Sequence, residues 1–343
     1  MLISDIDYFL PENLIAQAPL SIRDQSRLLV LNKKSQTITH HKFCDLIDFL
    51  QPSDLLVFNN TKVLKARLFG KKKTGGAVEI FLLEPIDEKK WYCLLYPARR
   101  IKEGEIIKIN DQLEIKIITK YIDNNKHQIE FLSDANTFDI INEFGNIPLP
   151  PYIKVQDHEY QKFEQRYQTV FAKSLGSVAA PTAGLHFTNE LIQKLTAKKI
   201  DKEYITLHVG LGTFLPIKTT KIQDHKMHKE WYNVANSAAE KLSKAYQEKR
   251  RIIAVGTTVT RVLETIFHEN SFTAGTGYTD IFIYPGYELK AISGLITNFH
   301  LPKSTLLLLV KAFAGGRLIE NAYKIAIENK YRFYSFGDAM FIE

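Results

Sequence analysis

The chain has 343 residues, of which 45% are hydrophobic and 24% charged, the balance of a globular protein long enough for a good core and for two domains. Its formal net charge of +7 suits an acidic partner, although many soluble proteins are mildly basic. Cys44 and Cys93 are the only cysteines and give no CxxC or Cys/His ligand spacing, which argues against a structural zinc site; the most apolar run, 306–310, is too short for a membrane span.

Residues 11–16 read as a short helix opened by Pro11. Residues 27–31 and 36–40 read as strands, and 44–50 puts Leu46, Ile47 and Leu50 on one helical face. The run 54–58 is apolar enough for a strand buried on both faces. From Lys62 the texture changes to short strand-like runs at 77–83, 91–96, 106–109, 113–121 and 128–132. Gly75-Gly76, Pro85, Gly104, Asn110-Asp111 and Asp123-Asn124-Asn125 supply turns between them. Close spacing of short strands suggests a small antiparallel barrel or sandwich.

The stiff segment Pro148-Leu149-Pro150-Pro151-Tyr152 is a natural return point. Beyond it, helices are expected at 191–199, 236–249, 258–268, 303–313 and 317–330. Strands are expected at 204–209, 252–255, 280–284, 295–299 and 331–336. This alternation predicts an α/β fold: a layered α/β domain with a mostly parallel sheet, formed by 1–61 and 147–343, with a small antiparallel β-barrel domain inserted at 62–146.

Chemistry in such a fold collects at the carboxyl ends of strands. The stretch Ser177-Val178-Ala179-Ala180-Pro181-Thr182-Ala183-Gly184-Leu185-His186-Phe187-Thr188 is small and nearly uncharged. Its amides are open to a ligand, His186 can titrate, and Thr188 can cap the next helix. Read blandly, it is a tight turn with an inert histidine. Gly256-Thr257-Thr258 leads into a helix carrying Arg261 and Glu264, either a polar-ligand site or a cap followed by a surface ion pair. Pro302 would open the helix after Asn298 and His300. The stretch Val209-Gly210-Leu211-Gly212-Thr213-Phe214 lacks the third glycine of a dinucleotide fingerprint. His225 and His228 could share a helical face, but nothing completes a metal site with them.

Basic residues run at Lys71-Lys72-Lys73, Lys89-Lys90 and Arg99-Arg100-Ile101-Lys102. A second set comprises Lys218, Lys221, Lys226, Lys229, Lys241, Lys244, Lys249, Arg250 and Arg251, with Trp231 and Tyr232 between its halves. Either set could meet RNA phosphates, or be a solvated rim. The aromatics could be a stacking platform or core.

The 177–188 block, His208-Val209-Gly210-Leu211-Gly212-Thr213-Phe214, Thr297-Asn298-Phe299-His300-Leu301-Pro302-Lys303-Ser304-Thr305 and Tyr331-Arg332-Phe333-Tyr334-Ser335-Phe336-Gly337-Asp338-Ala339-Met340 together resemble the S-adenosylmethionine:tRNA ribosyltransferase-isomerases of queuosine biosynthesis. The resemblance runs from Asp5-Ile6-Asp7-Tyr8 to the C-terminus, and the family's inserted barrel agrees with the reading above.

The resemblance implies transfer and isomerisation of the ribosyl moiety of S-adenosylmethionine onto 7-aminomethyl-7-deazaguanine at the wobble position of tRNAs with a GUN anticodon. Epoxyqueuosine-tRNA forms and adenine and methionine leave. S-adenosylmethionine is then a consumed ribosyl donor, and no other cofactor or metal is expected. Such chemistry requires a base near the ribose C5′, an acid for departing adenine, and a pocket for an unstacked base. The titratable members of the matching blocks, His186, His208, His300 and Asp338, are the expected proton-handling set. Thr182, Gly184, Arg261, Glu264 and Asn298 would hold substrate. A cytoplasmic protein is expected, since Met1-Leu2-Ile3-Ser4-Asp5 lacks a secretory pattern, and a monomer is expected as well.

Four places depart from the family's usual residues. Asn59-Asn60-Thr61-Lys62 stands for Asn-Asp-Thr-Arg, Lys65 for proline, Asn146 for histidine and Ser293 for aspartate. Two other readings stay open. A methyltransferase would carry an early strand–GxGxG–acidic unit, which is missing. A non-catalytic RNA-binding protein would not need the neutral loop at 177–188.

Overall fold

A computed structural model describes residues 1–122, 125–154, 160–210, 212, 217 and 219–343. Asp123, Asn124, Leu211, Thr213, Phe214 and Lys218, named above, lie outside these residues.

In chain order the strands are β1 (Arg27–Asn32), β2 (Thr37–Lys42), β3 (Leu55–Asn59), β4 (Thr61–Val63), β5 (Arg67–Lys72), β6 (Ala77–Pro85), β7 (Lys90–Tyr96), β8 (Ile106–Lys108), β9 (Glu114–Ile122) and β10 (Lys126–Phe131). They continue as β11 (Ser174–Ser177), β12 (Asp201–Leu207), β13 (Glu230–Val234), β14 (Ile252–Val255), β15 (Phe267–His268), β16 (Ser271–Phe272), β17 (Gly275–Thr279), β18 (Gly294–Asn298) and β19 (Ala339–Ile342). The helices are α1 (Thr137–Phe144), α2 (Tyr160–Glu164), α3 (Asn189–Ala197), α4 (Asn236–Gln247), α5 (Thr257–Ile266), α6 (Thr305–Ala314) and α7 (Gly316–Glu328).

The main sheet has nine strands in the order β17-β13-β12-β3-β14-β18-β19-β1-β2. Its centre, β12 through β18, is parallel. The flanks bring antiparallel partners, so the sheet is mixed. β3 is buried at every position and apolar from Leu55 to Phe58, as a central strand covered on both faces requires. Alternate residues feed two cores. Leu55, Val57, Ile252, Ala254 and Leu295 face α4 to α7, while Leu56, Phe58, Ile253, Val255 and Ile296 face α3 and the 3₁₀ turn Phe43–Phe49. Strands β5 to β10 close an antiparallel barrel with its own core around Trp91, Ile80, Ile115 and Ile129. β7 and β10 alternate between buried and half-exposed, as one-sided strands must.

Several elements differ from the sequence expectation. Residues 280–284 are irregular, and the strand lies just before them as β17, whose small polar residues at a sheet edge carry no apolar alternation. Residues 331–336 form a bridge at Phe333 and a turn with Tyr334 at φ 73°, and the closing strand β19 begins at Ala339, antiparallel to β18. Pro302 does not open α6; Lys303 sits at φ 57° and the Ser304 hydroxyl caps the helix by accepting from the Leu307 amide at 3.2 Å. The helices expected at 11–16 and 44–50 are 3₁₀ turns. β5, β13 and α1 were not expected.

Candidate active site

The parallel strands run the same way, so their carboxyl ends share one edge of the sheet. Asn59 ends β3, His208 follows β12, Gly256 follows β14 and Asn298 ends β18. β19 is antiparallel to β18 and β1 parallel to β19, so Asp338 and Ser26 come to the same edge from their strands' starts. Gly256 makes its turn at φ +100°, a conformation that favours glycine.

The 177–188 stretch lies along this edge. Ser177 Oγ accepts from the Val209 amide at 2.8 Å, and the Val178 amide donates to the Val209 carbonyl at 3.1 Å. Thr182–His186 is a buried 3₁₀ turn, and Thr188 caps α3 as expected, accepting from the Leu191 amide at 3.1 Å. Gly184 is glycine for want of space: a Cβ there would lie 2.9 Å from Phe171 and Thr169 carbon atoms.

His186 is buried and stacked on Phe43, with ring centroids 4.9 Å apart. Its Nδ1 lies 2.7 Å from Ser26 Oγ and its Nε2 3.1 Å from Asn298 Nδ2. Asn298 Nδ2 also donates to the Tyr334 carbonyl at 3.0 Å. Burial, with the Arg332 and Arg23 charges adding to it, pulls the His186 pKa down to about 3. The ring is neutral near pH 7.

His300 follows Asn298, with Nε2 2.8 Å from Thr297 Oγ1. Its backbone is held from both sides: the Tyr8 hydroxyl donates to its carbonyl, and its amide donates to the Tyr323 hydroxyl at 2.9 Å. Burial lowers its pKa to about 3. Thr182 and His300 line two adjoining clefts. One is completed by Tyr152, Asn298, Ser304, Tyr334 and Ser335; the other by Pro181, Val209, Gly256, Thr257, Thr258 and Thr297. Asn298 lines the first, and its buried Oδ1 has no hydrogen-bond partner among the described residues.

The other expected residues sit apart. His208 stacks on Trp231 at 4.8 Å and holds Thr61 Oγ1 through Nδ1 at 2.8 Å, with a pKa lowered to about 4 by burial. Asp338 accepts from the amides of Arg27 and Arg332 at 3.0 and 2.8 Å, tying two chain segments together. Arg261 and Glu264 are buried and hold different partners, not the surface pair considered above. Arg261 pairs with Glu230, whose other oxygen accepts from the Gly210 amide at 2.9 Å. Glu264 accepts from the Ala291 amide at 2.9 Å and from the Lys290 amide; burial pushes its pKa up.

Sequence reasoning passed over Ser26, Thr61, Tyr152 and Glu230. Ser26 and Glu230 lie outside every stretch read above, and Thr61 and Tyr152 enter it only as members of 59–62 and 148–152; all four reach the edge through the fold. Among the second basic set, Arg250 pairs with Asp201, Arg251 with Asp54 and Glu343, and Lys241 with Glu203 and Asp201. They hold the fold together. His225 and His228 are not on a helix; His225 packs on Phe282 and His228 is exposed. Among the described residues, no group of His, Cys, Asp and Glu could hold a metal, and no helix is long and apolar enough to cross a membrane.

With this geometry in hand, known proteins give a consistent picture. The S-adenosylmethionine:tRNA ribosyltransferase-isomerase of Carboxydothermus hydrogenoformans is 51% identical over 343 residues, covering 100% of both chains. That of Halothermothrix orenii is 50% identical over 346 residues, again covering 100% of each. The crystal structure of S-adenosylmethionine tRNA ribosyltransferase from Thermotoga maritima is 37% identical, with a TM-score of 0.57, covering 99% of this chain and 100% of that one. A family model described as queuosine biosynthesis protein matches residues 3–342, so the sheet, the barrel and the cleft all lie within the match, and the chain belongs to that family.

Proposed function

We propose that the chain transfers and isomerises the ribosyl moiety of S-adenosylmethionine onto 7-aminomethyl-7-deazaguanine in tRNA, releasing adenine and methionine. The observation that carries this is likeness over the full length, at 51% and 50% identity, to two proteins named for the activity. The cleft at the strand ends supports it. Thr182, Asn298 and the half-buried Tyr152 offer polar groups in a largely apolar recess, which suits a nucleobase. The orphaned Asn298 Oδ1 would accept an N–H from a base edge.

S-adenosylmethionine is consumed in this reading, and no further cofactor takes part. The RNA is a tRNA with a GUN anticodon, its wobble base unstacked into the cleft. The chain works as a cytoplasmic monomer, with 62–146 as an inserted barrel domain within the α/β domain of 1–61 and 147–343. Of the expected proton-handling residues, His300 stands in the cleft wall and is assigned the proton step. His186 orients Asn298, His208 braces the β12 end against Thr61, and Asp338 braces the β1 and β19 starts. Gly184 keeps the loop close, while Arg261 and Glu264 act on substrate only through the segments they hold.

The experiment incubates purified protein with S-adenosylmethionine and precursor-containing tRNA. Adenine and methionine should appear together, with a mass shift in the digested nucleoside. Appearance of S-adenosylhomocysteine would instead mean methyl transfer and overturn the reading.

A further inference from the structure

Beside the cleft, and sharing Ser335 with it, lies a smaller recess, open to solvent and lined by Arg23, Ser26, Arg166, His186, Arg332 and Gly337. Arg23 and Arg166 hold each other's segments. Arg23 donates to the carbonyls of Gln165, Gln168 and Leu185 at 2.9, 2.7 and 3.3 Å, while Arg166 donates to those of Leu20 and, at 3.1 Å, Ser21. Arg332 donates to the Ala18 carbonyl at 3.3 Å. Carbonyls satisfy N–H groups but do not neutralise charge.

Among the described residues, the only carboxylate within ion-pair distance of these arginines is Asp338, 3.7 Å from Arg332 Nε, and its oxygens already serve two backbone amides. The excess positive charge is felt nearby. Burial and then Arg166 lower the Arg23 pKa to about 10.

The hydrogen-bond chain beneath the arginines has a forced direction. A carbonyl can only accept, so Asn298 Nδ2 is the donor to Tyr334 and gives its second N–H to His186 Nε2. The ring proton therefore sits on Nδ1 and goes to Ser26 Oγ. Ser26 accepts that bond and keeps its own O–H to donate, in a side chain 2% exposed on the recess wall. Guanidinium groups and a hydroxyl donor lining one recess suit an oxyanion.

We propose that this recess binds a phosphodiester of the RNA substrate, next to the nucleotide seated in the adjoining cleft. The inference rests on the function proposed above. The aminoacyl end of S-adenosylmethionine is the other anion at hand, but its ammonium would enter a group of arginines whose only carboxylate within ion-pair distance, among the described residues, is engaged. A phosphodiester brings negative charge alone and meets arginine in fork geometry.

The test measures binding of a tRNA anticodon stem–loop against salt, and binding of S-adenosylmethionine separately, for wild type, Arg166→Gln, Arg166→Lys, Arg332→Gln and Ser26→Ala, with melting temperatures for each. Losing one arginine–phosphate contact should reduce the log–log salt slope by about 0.7 and weaken RNA binding severalfold, while Ser26→Ala, which removes no charge, should weaken binding at an unchanged slope. Arg166→Lys should restore the slope, and S-adenosylmethionine affinity should stay unchanged throughout. If folded glutamine variants keep the wild-type slope while wild type still releases adenine, the phosphate site is wrong and the reaction stands. Loss of S-adenosylmethionine affinity with an unchanged slope would assign the recess to the aminoacyl carboxylate and overturn the proposal. A wild-type protein that neither binds the stem–loop nor releases adenine would sink the reaction and this inference with it. Should Arg166→Gln not fold, Arg332→Gln and Arg166→Lys carry the same comparison.

Discussion

Asn298 gives one side-chain N–H to the Tyr334 carbonyl at 3.0 Å and the other to His186 Nε2 at 3.1 Å, which fixes the way its amide faces. Turned over, Oδ1 would oppose the Tyr334 oxygen. Oδ1 is thus committed to a side where it has no partner among the described residues, and a buried acceptor left in that state costs about 1–3 kcal/mol. A substrate N–H would remove that cost.

Asn298→Asp tests this with nearly constant volume. A carboxylate oxygen would replace Nδ2 against the Tyr334 carbonyl and His186 Nε2, losing both donors. The variant should melt lower, and adenine release per folded molecule should fall by about tenfold or more, the rate equivalent of ~1.4 kcal/mol. A normal rate from folded enzyme would mean that the two Nδ2 bonds are not needed to hold Oδ1 in place for turnover.

The histidines should separate by pH profile. Both His186 nitrogens are engaged, so His186→Ala should lower the melting temperature and the rate while leaving the shape of the pH–rate curve intact. His300 stands in the cleft wall, and losing a general acid or base costs about a hundredfold or more. His300→Ala should show that loss together with a changed pH dependence of single-turnover adenine release. Identical profiles for the two variants would reject His300 as the proton carrier.

Stability should fall on the acid side. His186 and His300 have folded pKa values of about 3, below the ordinary value of about 6.5. Between those values the unfolded chain binds more protons, so stability rises with pH and is lost as pH falls from about 6.5 towards 3. Each histidine contributes at most about 1.4 kcal/mol per pH unit inside that window. Urea unfolding at pH 5, 6 and 7 should show the gradient, and His300→Gln should flatten it. A gradient that the substitution leaves untouched would place the acid sensitivity elsewhere.

The sheet's interior was legible because burial on two faces writes continuous apolar runs, as in Leu55 to Phe58 and Ile252 to Val255. The edges were not. β17 reads Gly-Thr-Gly-Tyr-Thr, and nothing in that composition separates a half-exposed strand from a loop. The structure brings His186, Asn298, His300 and Thr182 to one edge, because each lies in or beside a contiguous motif. Ser26, Arg23 and Arg166 were invisible as a set. They join only when β1 pairs with β19 and the 160s segment folds against residues 18–26. The Arg261–Glu264 spacing misled for a similar reason: a helix puts such residues one turn apart, and packing against 279–291 gave each a better partner.

A steric prediction concerns Gly184. Its nearest neighbours to an added Cβ, Phe171 Cζ and Thr169 Cγ2, stand at 2.9 Å, closer than a methyl group can pack. Gly184→Ala should destabilise the protein by about 1–3 kcal/mol through overpacking. Urea unfolding checks it; unchanged stability would show that Phe171 yields freely.

Arg261 and Glu230 form an ion pair whose side chains are 4% and 3% exposed. Glu230 also accepts from the Gly210 amide at 2.9 Å, so the pair anchors the start of the glycine stretch that follows β12. Removing one partner breaks a buried ion pair, which costs about 3–5 kcal/mol. Glu230→Met and Arg261→Met should each destabilise by that order. The double replacement by apolar residues of similar length removes both desolvation penalties, so it should be distinctly less harmful than the two single effects added. Equilibrium unfolding of the four proteins closes the cycle. A double variant as unstable as the sum would show two independent residues. A coupling well above 1 kcal/mol would establish the pair as the tether of Gly210, and adenine release should then fall in the single variants in step with the lost stability of the stretch it holds.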